Sequence, residues 1–330
     1  MRALTIVEPG VLELGEVEDP TPGADEVVVE VGACGVCGTD LHLIDGESPL
    51  ASYPLVPGHE FSGVVVARGN GVEGPALGQR IAVDPNTHCG ACRFCRSGRA
   101  NLCTRYSAVG VTGPGAFAEL VKARAANAYS VSDALSAEQA AMIEPLSCAV
   151  LGVRQVGEVL GRRTLVVGAG TMGLLIGQLL AAMGASEVAV VDPLRARLEV
   201  ATALGLGPCA SSTEELDALF EVAVDATGVP KAVEAAFDAV DRGGTLLVFG
   251  VADVKARVGL SPFRIFNDEI TVKGSMAVLN SFGTAVRLME AGQVNVLPLL
   301  GAPFPLEEYN DALTAMRSGT GRGIKTQIAP

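Results

Sequence analysis

The stretch TLVVGAGTMGLLIGQLLAAMGASEVAVVD, residues 164–192, decides how the rest of the chain is read. Leu165, Val166 and Val167 form a short apolar run of the kind that makes a strand buried on both faces. Gly168, Gly170 and Gly173 follow at GxGxxG spacing, a helical apolar segment covers about 172–183, and a β-branched run at 188–191 ends on Asp192. The pattern predicts a βαβ unit. Gly168 permits the tight strand-to-helix turn, a side chain at Gly170 would hold the backbone away from a pyrophosphate, and Gly173 lets helix and strand pack closely. The helix opens with Thr171 and Met172, and its free N–H groups and positive dipole end face the phosphates. Asp192 lies nineteen residues after Gly173, where a carboxylate accepts hydrogen bonds from an adenosine ribose. The rival is a transmembrane helix, because 164–186 carry no charge and Gly173-xxx-Gly177 mimics a membrane dimerisation motif. The density of glycines and the lack of a basic flank or aromatic belt argue against it.

Three hundred and thirty residues predict about two domains. The chain is 49% hydrophobic and 18% charged, enough for sizeable cores and too little charge for disorder. Its net charge is −13 and no basic block occurs, which excludes nucleic acid as an expected partner. The opening MRALTIVEPG lacks the pattern of a signal peptide, so a cytoplasmic protein with no membrane partner is expected. The eight cysteines are then better explained by metal or reactivity than by disulfides.

Up to about residue 131, short β-type runs (26–31, 63–67, 80–83, 117–121) alternate with Gly and Pro, predicting a small barrel-like or irregular β domain. Cys34 and Cys37 stand as CxxC in GACGVCGTDLH. A thioredoxin-like redox pair needs a βαβ setting, which is missing here, and Cys34 reads as a buried small residue. His59 is one of only three histidines and is followed by Glu60. Cys37, His59 and a carboxylate offer thiolate, imidazole and oxygen ligands with a fourth position open, the form of a catalytic zinc site. Cys89, Cys92, Cys95 and Cys103 follow as CxxCxxCx7C in a glycine-rich loop, which suits a closed tetrahedral structural zinc. A zinc ribbon binding nucleic acid conflicts with the acidic chain, and an iron–sulfur run of bacterial type ends differently. His88 reads as a solvent-facing loop residue.

The segment GHEFSGVVVARGNGV, with Gly58, His59, Glu60, Gly63, Gly69 and Val72, resembles the zinc signature of the medium-chain alcohol dehydrogenases. The resemblance spans essentially the whole chain. It implies a GroES-like catalytic domain over 1–146 and 278–330 and an inserted Rossmann dinucleotide-binding domain over 147–277, an α/β architecture with a doubly wound parallel sheet. Ser136 and Gln139 have capping-box spacing and start a helix leading to Glu144-Pro145-Leu146. An unpaired buried carboxylate is costly, so Glu144 needs a metal or a hydrogen-bond partner. Its segment resembles the polyol and threonine dehydrogenase branches, where this glutamate lies at the zinc, with Glu60 the competing oxygen.

Beyond Asp192, a helix at about 195–204, strands at 222–225, 245–250 and 270–274, and an intervening helix at 231–240 predict the parallel sheet. The family places the loop of Thr227 and Gly228 against the adenosine, and the loops of Val251 and Ser275 resemble its nicotinamide side. Asp192 favours NAD over NADP because a carboxylate repels a 2′-phosphate. Arg195 and Arg197 read as a solvated helix face, although either reaches such a phosphate. Arg322 and Lys325 are cofactor contacts or surface charges. The resemblance implies an NAD oxidoreductase with one catalytic and one structural zinc, acting on a secondary alcohol such as a polyol, sugar or cyclitol. Thr39, two residues after Cys37, is placed to take the substrate proton, and the resemblance implies a relay from it through the nicotinamide ribose to His42 and solvent. The alternatives are a threonine or simple secondary-alcohol dehydrogenase and a non-catalytic redox sensor. Tyr53, Asn86 and Phe117 are guesses at the substrate wall. A homodimer or homotetramer is expected through edge strands near 270–274.

Overall fold

The computed structural model describes residues 1–319 and 321–330. The closing GTGRGIKTQIAP, residues 319–330, reads from its sequence as a late strand; Thr320 lies outside the described residues, and the strand is Gln327–Ala329. The chain divides into two compact units.

The second unit comprises Cys148–Ala277 and Gly292–Pro298. Its centre is the strand Arg163–Val167, whose last four residues are buried, as an apolar run covered on both faces requires. The helix Thr171–Ala182 follows, and the strand Glu187–Val191 pairs in parallel with the first, Val167 opposite Val191. On the other side Phe220–Asp225, Val240–Val248 and Thr271–Gly274 add in succession, and Cys209–Ala210 closes the far edge, all parallel. The strand order reverses between Arg163–Val167 and Phe220–Asp225, the switch point where doubly wound sheets bind ligands. The helix is apolar because both its faces are covered. At 12 residues it reaches only about 18 Å, short of the ~30 Å hydrocarbon core of a bilayer. Among the described residues no helix is long and apolar enough to cross a membrane.

The first unit comprises Met1–Ser147, Val278–Ala291 and Leu299–Pro330. A seven-stranded sheet runs through Phe304–Pro305, Gln327–Ala329, Glu26–Gly35, Glu60–Arg68, Arg80–Val83 and Ala128–Ser130, with Leu120–Arg124 pairing beside Glu26–Gly35. Alternate valines of Glu26–Gly35 enter a core that includes Phe61, Ile81, Phe117 and Tyr309. The run expected as a strand at 117–121 begins only at Leu120. Residues 117–119 are drawn to the N-terminal strand instead, where Leu4 N–H donates to the Phe117 carbonyl at 2.9 Å and Ala3 bridges Ala118.

The return to the first unit is interrupted. Residues 292–298 were expected with the catalytic domain but belong to the dinucleotide-side unit. The Gln178 side chain explains this, accepting from Asn295 N–H at 2.8 Å and donating to Asn295 O at 3.2 Å. Ser147 falls with the first unit, one residue past the expected boundary.

Candidate active site and dinucleotide cradle

Strand register assembles the first site. Glu26–Gly35 and Glu60–Arg68 are antiparallel with Gly35 opposite Glu60, so Cys37, two residues past one strand, meets His59, one residue before the other. Donor atoms of Cys37, His59 and Glu60 all lie within 4.8 Å of one another. Cys37 is the N-cap of the short helix Gly38–Ile44, and Asp40 is its third residue. Asp40 is fully buried. One carboxylate oxygen accepts the Cys37 N–H at 2.8 Å, and the other accepts the Gly58 N–H at 3.3 Å and lies 3.6 Å from His59 Nδ1. At 3.6 Å the contact with His59 is a charge pairing rather than a hydrogen bond, and it places a carboxylate behind the imidazole as is usual for a ligating histidine. Burial, the largest single effect, pulls the His59 pKa down, but Asp40 and Cys37 together outweigh it and hold the imidazole well above its ordinary value.

Glu144 sits in the first turn of the helix Ile143–Val156 and is buried. Burial, reinforced by the Glu60 charge, pushes its carboxyl up to about 7. The sequence offers Cys37, His59 and Glu144, with or without Glu60, as the ligand set. Glu60 joins the close cluster, and Glu144 stands outside it, near enough to feel Glu60 and His59. Glu60 is ion-paired with Lys325, whose Nζ also donates to the Val36 carbonyl at 3.0 Å. Lys325 is 6% exposed, so it is neither a surface charge nor part of the dinucleotide-side unit. Gly35 leaves room for the pair, because a Cβ there would lie 2.1 Å from Glu60 Oε2 and 2.6 Å from Lys325 Cε.

The Thr39 hydroxyl lies 3.8 Å from Cys37 Sγ. His42 is partly exposed, with Nδ1 2.7 Å from a Glu47 carboxylate oxygen. Of the guessed wall positions, Phe117 is instead core, edge-on to Tyr309 at 5.2 Å, and Tyr53 donates its hydroxyl to the Leu43 carbonyl. Asn86 does line a cavity. Asp40 went unread in the sequence, although its position three residues after Cys37 is capping-box spacing. Arg322 lies over the Phe304 ring and pairs with Glu308 at 2.9 Å, a surface role.

Cys89, Cys92, Cys95 and Cys103 form a second cluster. Their Sγ separations are 3.5 Å (92–95), 3.9 Å (92–103) and 4.0 Å (89–95). Tetrahedral thiolates around zinc at ~2.3 Å sit about 3.8 Å apart, so the lobe fits that ion. Backbone N–H groups of Cys95 and Thr104 pull the Cys92 thiol down to about 5, and those of Ala91 and Cys92 pull Cys89 down to about 7. The Cys92 N–H lies 3.3 Å from Cys89 Sγ and the Arg105 N–H 3.3 Å from Cys103 Sγ. Among the described residues the cysteines form no disulfide.

In the other unit the three glycines have distinct reasons. Gly168 has φ +104°, a Cβ on Gly173 would lie 1.7 Å from the Gly168 carbonyl, and a Cβ on Gly170 would meet no protein atom within 4 Å. The emptiness beside Gly170, at the N-terminus of a three-turn helix, fits a pyrophosphate. Asp192 is buried and accepts N–H bonds from Ala169 and Leu194, both at 2.8 Å, with Arg197 Nη1 at 3.5 Å. Arg197 is thus turned toward the acid, a correction to the solvated face expected for it, whereas Arg195 is exposed. Asp225, unremarked in the sequence beyond ending its strand, accepts from Thr227 N–H at 3.0 Å, Thr227 Oγ1 at 2.6 Å and Gly228 N–H at 3.2 Å. Gly228 is packed against the Val251 carbonyl, 2.2 Å from where its Cβ would be. The Val251 side chain is exposed, and the Ser275 hydroxyl is buried with no hydrogen-bond partner among the described residues. An orphaned hydroxyl of this kind suits a ligand amide.

Residues 23–133 match the alcohol dehydrogenase GroES-like domain, and residues 171–291 match the zinc-binding dehydrogenase domain. D-arabinitol dehydrogenase 1 of Uromyces fabae is 38% identical over 331 residues, covering 96% of this chain and 94% of that protein. Among solved structures, a zinc-binding dehydrogenase of Sinorhizobium meliloti bound to NADP superposes with a TM-score of 0.93 at 30% identity, covering 100% of this chain and 99% of its own. An alcohol dehydrogenase of Escherichia coli complexed with NADH gives the same TM-score, identity and coverage. With a thiolate–imidazole–carboxylate cluster, a four-cysteine lobe and a glycine cradle on one chain, and with both domain families matched, this protein belongs to the zinc-binding medium-chain alcohol dehydrogenases.

Proposed function

We propose that this chain is an NAD-linked, zinc-dependent oxidoreductase that interconverts a secondary alcohol of a polyhydroxylated compound and the corresponding ketone. The observation that carries the reading is the gathering of Cys37, His59 and Glu60 within 4.8 Å, backed by Asp40 and flanked by buried Glu144. Cys37 and His59 would hold the catalytic zinc with Glu60 or Glu144, and Cys89, Cys92, Cys95 and Cys103 the structural one. Bound in these places, zinc supplies Lewis-acid polarisation of the alcohol oxygen and the dinucleotide supplies the hydride acceptor.

Oxidation removes a hydride from the carbon and a proton from the oxygen. The Thr39 hydroxyl, beside Cys37 Sγ, would accept that proton while giving up its own in the direction of His42, which is paired with Glu47 and partly exposed and would release a proton to solvent. Asp40 keeps the His59 ring in place throughout, and Lys325 holds Glu60 through one carboxylate oxygen. In the other unit Gly168, Gly170 and Gly173 with Thr171 and Met172 form the pyrophosphate cradle, Asp192 and Arg197 take the adenosine ribose, Thr227 and Gly228 border the adenosine, and Val251 and Ser275 serve the nicotinamide. The buried Asp192 carboxylate supports NAD over NADP, since a 2′-phosphate there would face a negative charge. The polyol substrate class is supported by the arabinitol dehydrogenase relative.

The edge strand Thr271–Gly274 is exposed along its whole length, and Phe263, Phe266 and Val272 are exposed close by in sequence. An unpaired edge beside large apolar side chains supports self-association into a dimer or tetramer. We place the protein in the cytoplasm, where the two cysteine-containing clusters would serve metals rather than disulfides.

Reduced nicotinamide formation by the zinc-replete protein tests the reading, with NAD and NADP offered separately against polyols, cyclitols, aldonates, threonine and short secondary alcohols. Turnover of a polyhydroxy class with NAD is expected. Turnover of threonine or simple alcohols alone would overturn the substrate class. Zinc and NAD binding with silence on every alcohol would favour a sensor.

A further inference from the structure

A cavity of about 230 Å³ lies within the first unit, and strand register puts it beside the candidate active site. Ser62 pairs with Ala82, and Ala82 pairs in turn with Tyr129. Continuing both ladders by two residues sets Asp84 level with Glu60 on one side and with Asn127 on the other. The Asp84 N–H donates to the Asn127 carbonyl at 2.9 Å, which extends the pairing that far. Cross-strand partners and residues two apart share a sheet face. Glu60, Asp84 and Asn127 therefore stand in a row across one face, at ~4.8 Å per strand, with Tyr129 two residues along from Asn127 on that face. Asp84, Asn127 and Tyr129 all line the cavity.

The wall is built to hold hydrogen-bonding groups still. Asn86 grips one oxygen of Asp84 with its backbone N–H at 3.0 Å and its side-chain amide at 2.7 Å. The Asn127 amide in turn spans the carbonyls of Asp84 and Asn86 at 2.9 and 2.6 Å. The Tyr129 ring rests against Phe282, with centroids 4.8 Å apart. Asp84 is thus oriented, and its second oxygen accepts no hydrogen bond from another described residue. Among the described residues no lysine or arginine lines the cavity, and His88 is its one basic side chain. A wall of one carboxylate, several amides and phenols and one imidazole, with no permanently charged cation among the described residues, suits neutral hydroxyl groups, and its carboxylate repels phosphates and carboxylates.

We propose that this cavity receives the hydroxyl-bearing tail of a neutral polyol whose reacting carbon lies at the Cys37–His59–Glu60 cluster, and that Asp84 is the specificity residue which accepts from those hydroxyls and rejects aldonates and sugar-alcohol phosphates. It rests on the alcohol-oxidising reading above and narrows it.

The test compares the zinc-replete wild type with Asp84→Asn and Tyr129→Phe on three substrates: sorbitol or D-arabinitol, gluconate, and isopropanol, which has no tail. Asp84→Asn keeps an oxygen for the Asn86 N–H, and Tyr129→Phe keeps the contact with Phe282, so both should fold. For the neutral polyol, kcat/KM should fall about 10- to 100-fold in Asp84→Asn, mostly through KM, the usual effect of losing a hydrogen bond to a charged group. Isopropanol turnover should hold within about twofold, and the ratio of gluconate to polyol should rise. Equal losses on polyol and isopropanol, or no loss on the polyol, would overturn the proposal. Thermal stabilisation by sorbitol, measured without turnover, separates the two readings. If sorbitol protects the wild type but not Asp84→Asn while no polyol is oxidised, the cavity stands and the reaction assignment fails. If polyols are oxidised and protection is unchanged in Asp84→Asn, the cavity assignment fails alone.

Discussion

Removing the charge of Lys325 is the sharpest probe of how the first site is held. Lys325→Met keeps an unbranched chain of similar length and deletes the ammonium that pairs with Glu60. Both partners are nearly inaccessible, at 6% and 2% exposure, so water cannot replace the lost cation without opening the strand ends. Breaking a buried pair from one side costs about 3–5 kcal/mol, because the remaining charge is left uncompensated. The Val36 carbonyl also loses its 3.0 Å donor, which adds about 1 kcal/mol. In a unit of this size each kcal/mol lowers the melting temperature by about 2–4 °C, so the variant should melt roughly 8–24 °C below the wild type. The assay is thermal unfolding of the full chain by circular dichroism, with and without a chelator. Glu60→Gln combined with Lys325→Met removes both charges and should regain most of the loss. A single variant melting within about 2 °C of the wild type, or a double variant no better than the single, would refute the view that Lys325 neutralises Glu60.

Two glycine substitutions should separate packing from ligand approach. Gly173→Ala drives a methyl into the Gly168 carbonyl and should destabilise the dinucleotide unit by about 1–3 kcal/mol, read by denaturant unfolding. Gly170→Ala meets no protein atom and should leave stability nearly unchanged while weakening NAD binding at least about tenfold by titration. Cys92→Ser should lower bound zinc from about two equivalents to about one by elemental analysis, with Cys37 and His59 intact. Asp192→Gly should raise the NADP-to-NAD ratio of kcat/KM by about 10- to 100-fold, since the repelling carboxylate is gone and Arg197 remains. Phe266→Asp should shift the chain toward the monomer in analytical ultracentrifugation, and an unchanged sedimentation coefficient would move the proposed interface elsewhere.

The dinucleotide unit was legible almost residue by residue because its signals are local. An apolar run, three glycines, a helical segment and a terminal acid occur in order along one short stretch, and each is dictated by its neighbours in sequence. The four-cysteine lobe was legible for the same reason, since its ligands span only 89–103. Boundaries were less legible. The strand expected at 117–121 starts late because of the N-terminal strand more than a hundred residues away, and 292–298 joins the dinucleotide-side unit through Gln178.

The sequence by itself determined which chemical groups are present and how the short motifs fold, since the spacing of Gly168, Gly170 and Gly173, of the four cysteines, and of Cys37 with Asp40 is set by backbone geometry over a few residues. Only the tertiary structure decided that Glu60 lies in the close cluster with Cys37 and His59, that Lys325 pairs with it, and that Asp84 lines a cavity with no lysine or arginine among the described residues. These outcomes depend on strand register and on pairings between residues as far apart as 60 and 325. Moving a strand by one residue turns every side chain to the other face, and nothing in the spacing along the chain records that choice.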